Sequence, residues 1–294
     1  MITVIGDIML DILVQQNLVN YATDAEGDID IRAGGQGGNV AAWVAACGGQ
    51  SHLIGKVGDD AFGVYLIEEA SKRGVTCSVT PHPGKKTGRI LVMVDRSGER
   101  SMIVDRGANL SLSGADIRGF EESRLLYISG YTFYIEETRE AALYAKSEAR
   151  KRGIPVAVDP SSLYHLRSEK ESLLSFLEGV TFLFPNYEEG KFLTGEEEPA
   201  KIIASLRQWV PHPVLKLGER GCVLSVDGTL VHVPASSVEP VDSTGAGDAF
   251  AGAFLAEYRR TNDVRRAAQY ATRVASRVVE RIGGQPEPGG SERK

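Results

Sequence analysis

The sequence predicts an α/β protein, with a three-layer core around a mostly parallel sheet and a second, small β-sheet beside it. Two patterns carry this. From Arg124 onward, short apolar runs alternate with amphipathic helical stretches. Strand–helix–strand repetition of this kind gives a parallel sheet covered on both faces by its crossover helices. Before Arg124, two stretches at about residues 10–33 and 84–106 read as β without helical period and do not fit that layer. At 294 residues the chain can bury roughly three quarters of its unfolded surface. It is read as a single domain, 1–294, with the small sheet made from the two insertions.

The elements follow in order. Ile2–Ile5 is a short buried strand ending at Gly6-Asp7. Asn39–Cys47 reads as a helix capped by Asn39 and stopped by Gly48-Gly49. His52–Val57 is a strand, and Asp60–Arg73 an amphipathic helix ended by Gly74. Thr87–Val94 and Arg100–Asp105 flank Ser97-Gly98 as a hairpin. Then come strand Leu125–Ser129, helix Glu136–Arg152, strand Pro155–Asp159, helix Ser168–Leu177 and strand Val180–Phe184. Helices Asn186–Leu193 and Pro199–Trp209 precede strand Val214–Leu217 and a hairpin of Cys222–Val226 with Thr229–Val233. Helices Ala246–Arg260 and Asp263–Arg281 close the chain, and residues 285–294 read as a frayed tail.

Composition excludes several classes. Net charge is −6, against bulk nucleic-acid binding, which needs a basic stripe. The arginines at 259, 260, 265, 266, 273 and 277 read as a solvated helix face. Cys47, Cys77 and Cys222 show neither disulfide nor zinc spacing. No apolar run approaches the length of a membrane span and no signal peptide is present, so a cytoplasmic setting is expected. The chain has 33 Gly, about a dozen more than average usage of roughly 7% gives.

Two glycine clusters carry chemistry. Gly34-Gly35-Gln36-Gly37-Gly38-Asn39 precedes a helix, and its glycines allow close backbone approach to a ligand. It fails the dinucleotide fingerprint, because Val40 stands at the last position. Asp242-Ser-Thr-Gly245-Ala246-Gly247-Asp248 opens a long apolar helix. Its amides form an anion site at a helix N-terminus. Asp248 then reads either as a simple cap or as the carboxylate that takes the proton in phosphoryl transfer to a hydroxyl. There is no P-loop, since Val79 stands where Gly-x4-Gly-Lys needs Gly. Asn186-Tyr-Glu-Glu189 is a plausible capping box.

With both signatures, the chain resembles the ribokinase-like, PfkB-type carbohydrate kinases over nearly its whole length. The first signature runs Gly34-Gly35-Gln-Gly37-Gly38-Asn39-Val-Ala41 and on to Gly48 and Gly58, and the second is Asp242–Asp248. Asn186–Glu189 and Leu215-Lys-Leu-Gly218-Glu-Arg-Gly221 fall where further family elements fall. The resemblance implies a Rossmann-like core with a β lid, and ATP- and Mg2+-dependent phosphorylation of a sugar-like hydroxyl. By matching position, Asp248 would be the base and Gly245, Ala246 and Gly247 the anion hole. Asp11, Gly35 and Asn39 would bind the sugar. Asn186 and Glu189 would organise Mg2+, its waters and phosphate, and Lys216 and Gly218 would lie along the nucleotide. Gly283 and Gln285 fall near the adenine and a frequent monovalent-cation site, with Asp242 and Thr244 as the K+ candidates.

Departures bear on the substrate. Met9 stands where ribokinases proper place Asn, and Gly130-Tyr131 where they place Glu. Asp159-Pro-Ser-Ser lacks the Arg often found near there in fructokinases and ketodeoxygluconate kinases. Tyr131, Phe133 and Tyr134 are read either as a stacking surface or as core. The expected function is ATP-dependent phosphorylation of a primary hydroxyl on a small sugar or sugar acid. A nucleoside kinase is the alternative, and a non-catalytic sensor a more distant one. A homodimer through the exposed edges of the lid is also expected.

Overall fold

The computed structural model describes residues 1–16, 23–24, 26–94, 100–119, 121–290 and 292. The first half runs β1 (Ile2–Ile5), β2 (Met9–Gln16), β3 (Gly27–Gly34), α1 (Gln36–Ala46), β4 (Ser51–Gly58), α2 (Ala61–Lys72), β5 (Val75–His82), β6 (Arg89–Val94) and β7 (Arg100–Asp105). Then follow β8 (Leu125–Ser129), α3 (Gly130–Tyr134), α4 (Glu136–Lys151), β9 (Val156–Asp159), α5 (Leu163–Phe176) and β10 (Phe182–Leu183). The last part is α6 (Tyr187–Thr194), α7 (Pro199–Leu206), β11 (His212–Lys216), β12 (Cys222–Val226), β13 (Thr229–Val233), α8 (Ala246–Thr261) and α9 (Val264–Val278).

A nine-stranded sheet has the order β13-β12-β11-β10-β9-β8-β1-β4-β5. Pairing is parallel from β5 through β11, and β12 and β13 add an antiparallel edge. Its central strands are buried throughout, as apolar strands covered on both faces must be. One core joins β1 and β4 to α1, α8 and α9. The other joins β1 and β8 to α4, α5 and α7. β1 pairs with β4 on one side and β8 on the other, so the strand order reverses there. Open α/β sheets bind ligands outside the carboxyl ends of their strands at such a point.

The two stretches set aside in the sequence form a separate four-stranded sheet, β3-β2-β6-β7. β6 and β7 pair antiparallel, as a hairpin requires. The Ser97-Gly98 turn lies outside the described residues.

Several elements differ from expectation. α1 begins three residues early, with Gly35 as its N-cap at φ 83°, so Asn39 is inside the helix and is not its cap. Glycine weakens a helix, but tertiary packing demands it here. A Cβ on Gly37 would lie 2.6 Å from the backbone of Gly6. Strand β5 was not anticipated. It sits at the sheet edge, where its Pro81 is tolerated. The short helix α3 was also missed, and α5 starts at Leu163, five residues ahead of expectation.

Pro286 and Glu292 of the tail, and Gly284 just before it, are hydrogen-bonded to the body of the fold. Trp43 Nε1 donates to the Gly284 carbonyl at 2.8 Å, Arg73 Nε to Pro286 at 2.8 Å, and Glu292 N to Ala46 at 3.2 Å. Arg259, Arg260, Arg265, Arg266, Arg273 and Arg277 are exposed, as expected. No described helix is long and apolar enough to cross a membrane.

Candidate active site

Two cavities open at the switch point. The larger has about 820 Å³ and the smaller about 260 Å³. They share Gln36, Ser161 and Asp248. Asn186, Glu189, Lys216, Gly218, Ala246 and Gly247 line the larger, while Asp11, Gly35, Asn39, Asp242, Thr244, Gly245 and Gly283 line the smaller. Folding thus gathers residues from both ends of the chain into one cleft. Gly283, expected beside the nucleotide, lies on the smaller cavity instead, against Arg32.

Asp248 occupies the first turn of α8. Gly245 caps that helix at φ 75°, and a Cβ there would lie 2.4 Å from Gly284 Cα. Ala246 N bonds back to Ser243 O at 3.3 Å, and the next amide to bond back is that of Ala249, to Gly245 at 2.8 Å. Between them the amides of Gly247 and Asp248, which line the cleft, have no intrahelical acceptor. The Asp248 carboxylate is half-buried and accepts from Asn39 Nδ2 at 2.8 Å. Burial pushes its pKa up to about 7, the Asn39 bond opposes this, and Asp159 reinforces it.

The smaller cavity is rich in acids. Asp11 lies on β2 opposite Arg32 of β3. Burial and the neighbouring Asp7 raise it to about 7, and its buried Oδ1 accepts from no donor among the described residues. Burial also raises Asp7, whose Oδ2 lies 3.9 Å from Arg106 Nη1. Arg106 in turn covers the Tyr131 ring at 4.6 Å. Leu13, Ile90, Val92, Met102 and Val104 of the small sheet give this cavity an apolar wall. Asp7, Arg106, Gln36 and Ser161 were not picked out in the sequence. Only Asp7, directly after the first strand, left a local signal. Of the three aromatics, Tyr131 reaches the cavity, while Phe133 and Tyr134 are buried against Phe176 and His165.

On the nucleotide-sized side, Asn186 and Glu189 form the reciprocal capping box of α6. Asn186 Oδ1 accepts from Glu189 N at 2.9 Å, and Glu189 Oε2 from Asn186 N at 2.8 Å. Glu189 is nevertheless buried, and burial with nearby Asp159 raises its pKa. Such a carboxylate gains from a cation. Mg2+ typically uses one or two carboxylates plus phosphates and waters. Among the described residues no three His, Cys, Asp or Glu side chains make a ready cage, so the donor set fits a phosphate-borne Mg2+. Asp242 is committed to backbone. Its Oδ1 accepts from Thr244 N at 2.6 Å and its Oδ2 from Gly283 N at 3.0 Å, stapling two loops.

Fold and cleft are those of an α/β enzyme whose cleft is lined by the N-terminal turn of a helix. The model of the pfkB family carbohydrate kinases matches residues 1–288, and the chain belongs to that family. It is a sugar or nucleoside kinase. A fructokinase from Klebsiella pneumoniae is 30% identical over 87% of this chain and 83% of its own length. An adenosine kinase structure from Sinorhizobium meliloti superposes with TM-score 0.89 at 26% identity, covering 97% of this chain and 95% of that one. A candidate ribokinase II from E. coli, solved with ATP and Mg2+, gives TM-score 0.87 at 25% identity over 96% of this chain and 94% of its own.

Proposed function

We propose that this protein transfers the γ-phosphoryl group of ATP to a primary hydroxyl of a small sugar or sugar acid. The observation that carries this is the position of Asp248, on the boundary of both cavities and in the first turn of α8. The acceptor sits in the smaller cavity, its hydroxyls held by Asp11, Asn39 and the Gly35 backbone. ATP occupies the larger, along Asn186, Lys216 and Gly218. Asp248 takes the hydroxyl proton as the new O–P bond forms. The bond from γ-phosphorus to the β–γ bridging oxygen breaks, and ADP leaves with the electron pair. The amides of Gly245–Asp248 stabilise the charge on the phosphoryl oxygens. Mg2+, when bound through Glu189 and its waters, neutralises charge on the β- and γ-phosphates. The small sheet closes as a lid and keeps water away from the phosphoryl group.

One observation favours the nucleoside alternative. The wall of Leu13, Ile90, Val92, Met102 and Val104 offers no hydrogen bonds to a sugar but suits the face of a base. A coupled ATP-consumption screen over hexoses, pentoses, ketodeoxy acids and nucleosides tests both. The sugar reading stands if a free sugar or sugar acid gives the highest kcat/KM, and falls if a nucleoside exceeds them all. ATP as donor stands on the family and on the ATP-bound relative. K+ at Asp242 and Thr244 is part of the same reading, and activity in Na+-only buffer equal to that in K+ would remove it.

Two further parts of the reading concern setting and assembly. The cytoplasm is its setting, on cysteine usage. Two copies pair through the small sheet, where Ile29 of edge strand β3 is 67% exposed and Ile103 of edge strand β7 is 60% exposed. Sedimentation velocity at micromolar concentration would show a dimer, and a single species at monomer mass would count against it.

A further inference from the structure

The larger cavity meets α8 at one ammonium group. Lys216 ends β11, and its Nζ lies 2.6 Å from Asp159 Oδ2 at the end of β9. The other oxygen of Asp159 accepts from Ser161 N at 2.9 Å, so the carboxylate is oriented by two bonds. Ser161 is itself pinned. It holds φ 68°, a left-handed conformation that a non-glycine residue adopts at a cost. Its hydroxyl lies 2.6 Å from Gln36 Oε1 and accepts from Gly130 N at 3.0 Å.

Lys216 Nζ faces the first turn of α8. A carbon added at Gly247 would lie 3.3 Å from it. Burial opposes the charge on Lys216, but Asp159, with Glu189 and Asp248 beyond it, raises its pKa and keeps the ammonium protonated. Of the described residues around this cavity, only Lys216 and Arg220 are cationic, and Arg220 is exposed with its guanidinium 5.6 Å from the Tyr187 ring. An ATP polyphosphate entering here meets four carboxylates, Asp159, Glu189, Glu219 and Asp248. It needs a fixed positive charge beside the amides.

We propose that Lys216 is a catalytic cation that contacts the phosphoryl group in transfer, and that Asp159 is its positioning residue. The proposal rests on the phosphotransfer reading above. Lys216 keeps its proton throughout; it offsets charge that builds on the γ-phosphoryl oxygens while Asp248 accepts the hydroxyl proton. A Lys held only as countercharge for Asp159 would have no reason to sit against Gly247. The chain also lacks a P-loop lysine, so this role is otherwise unfilled.

The test is binding of AMP-PNP and of ADP, each with Mg2+, measured by calorimetry. It compares the wild type, Lys216→Met, Lys216→Arg, Asp159→Asn and the double variant Lys216→Met/Asp159→Asn. The double variant removes both charges, so it avoids an unpaired buried carboxylate. Loss of a charged contact to the γ-phosphate should weaken AMP-PNP by about tenfold or more in Lys216→Met and in the double variant. ADP affinity should stay within about threefold. Asp159→Asn should lower the AMP-PNP to ADP affinity ratio, whereas a merely structural Asp159 would lower the melting temperature and leave that ratio alone. Lys216→Arg should keep most of the ratio. A folded double variant with the wild-type ratio overturns the proposal. A wild type that discriminates between the two nucleotides but phosphorylates nothing in the screen would instead overturn the phosphotransfer reading.

Discussion

Asn39 Nδ2 donates to Asp248 Oδ2 at 2.8 Å, joining residues 209 positions apart across the two glycine signatures. The contact exists because α1 and α8 pack closely. A Cβ on Gly252 of α8 would lie 2.6 Å from Trp43 Cβ of α1. The side chain assigned to sugar binding therefore also orients the assigned base. Asp248→Asn should keep the fold and hold acceptor affinity within about threefold. General-base catalysis supplies typically 10²–10⁴-fold, so kcat should fall on the order of 10³-fold. Near-normal turnover in this variant would remove Asp248 from the mechanism.

The same bond predicts a pH effect. It lowers the Asp248 pKa against the larger upward push of burial. Asn39→Ala should move the acid limb of kcat/KM to higher pH by about one unit. A limb that stays in place would mean that the bond does not act on the base.

In the wild type, Asp248 and Asp11 are both raised to about 7. The base must be ionised to act, so kcat/KM should fall as pH drops below about 7. With two groups titrating together the limb should be steeper than one proton, and Asp11→Asn should return it to a single-proton slope. A pH–rate profile with no break between pH 6 and 8 would contradict this.

Stability should respond in the matching direction. Asp248 is raised from 3.8 to about 7 in the fold, so the folded state holds a proton that the unfolded state has released. Its contribution is fully present below about pH 4 and is lost as pH rises through about 7. The melting temperature of Asp248→Asn should therefore gain on the wild type between those pH values and level off above. A constant difference across the range would show an unperturbed carboxylate.

Gly245→Ala tests the cradle. The residue holds φ 75°, and a Cβ would press on Gly284. Left-handed backbone costs a non-glycine residue on the order of 1–3 kcal/mol, before any clash. The variant should melt several degrees lower and bind ATP more weakly. Wild-type stability would show that the loop can relax away from residues 283–284.

The sequence by itself determined the alternation of strands and helices after Arg124, the two β stretches outside that layer, the family and the two glycine signatures. These are local patterns, written in periodicity and in residues no other side chain can replace. Tertiary structure decided what those residues touch. Gly35 and Gly37 read as backbone opened for a ligand, yet a Cβ on either would strike Asp7 or Gly6, so their first task is to let α1 start against the end of β1. Asn39 read as a cap and became a partner of Asp248. Asp242 read as a K+ candidate, and the fold also has it staple two loops through Thr244 N and Gly283 N. The Lys216–Asp159 pair had no local signal, since the ends of β11 and β9 meet only once the sheet is ordered. Residues 285–294 read as a frayed tail from glycines, prolines and charges, and the fold adds contacts no local pattern shows: Arg73, more than 200 positions earlier, binds the Pro286 carbonyl, and Trp43 that of Gly284 just before it. Sequence patterns report the propensity of a segment, and burial and hydrogen-bond partners are supplied by segments far away in the chain.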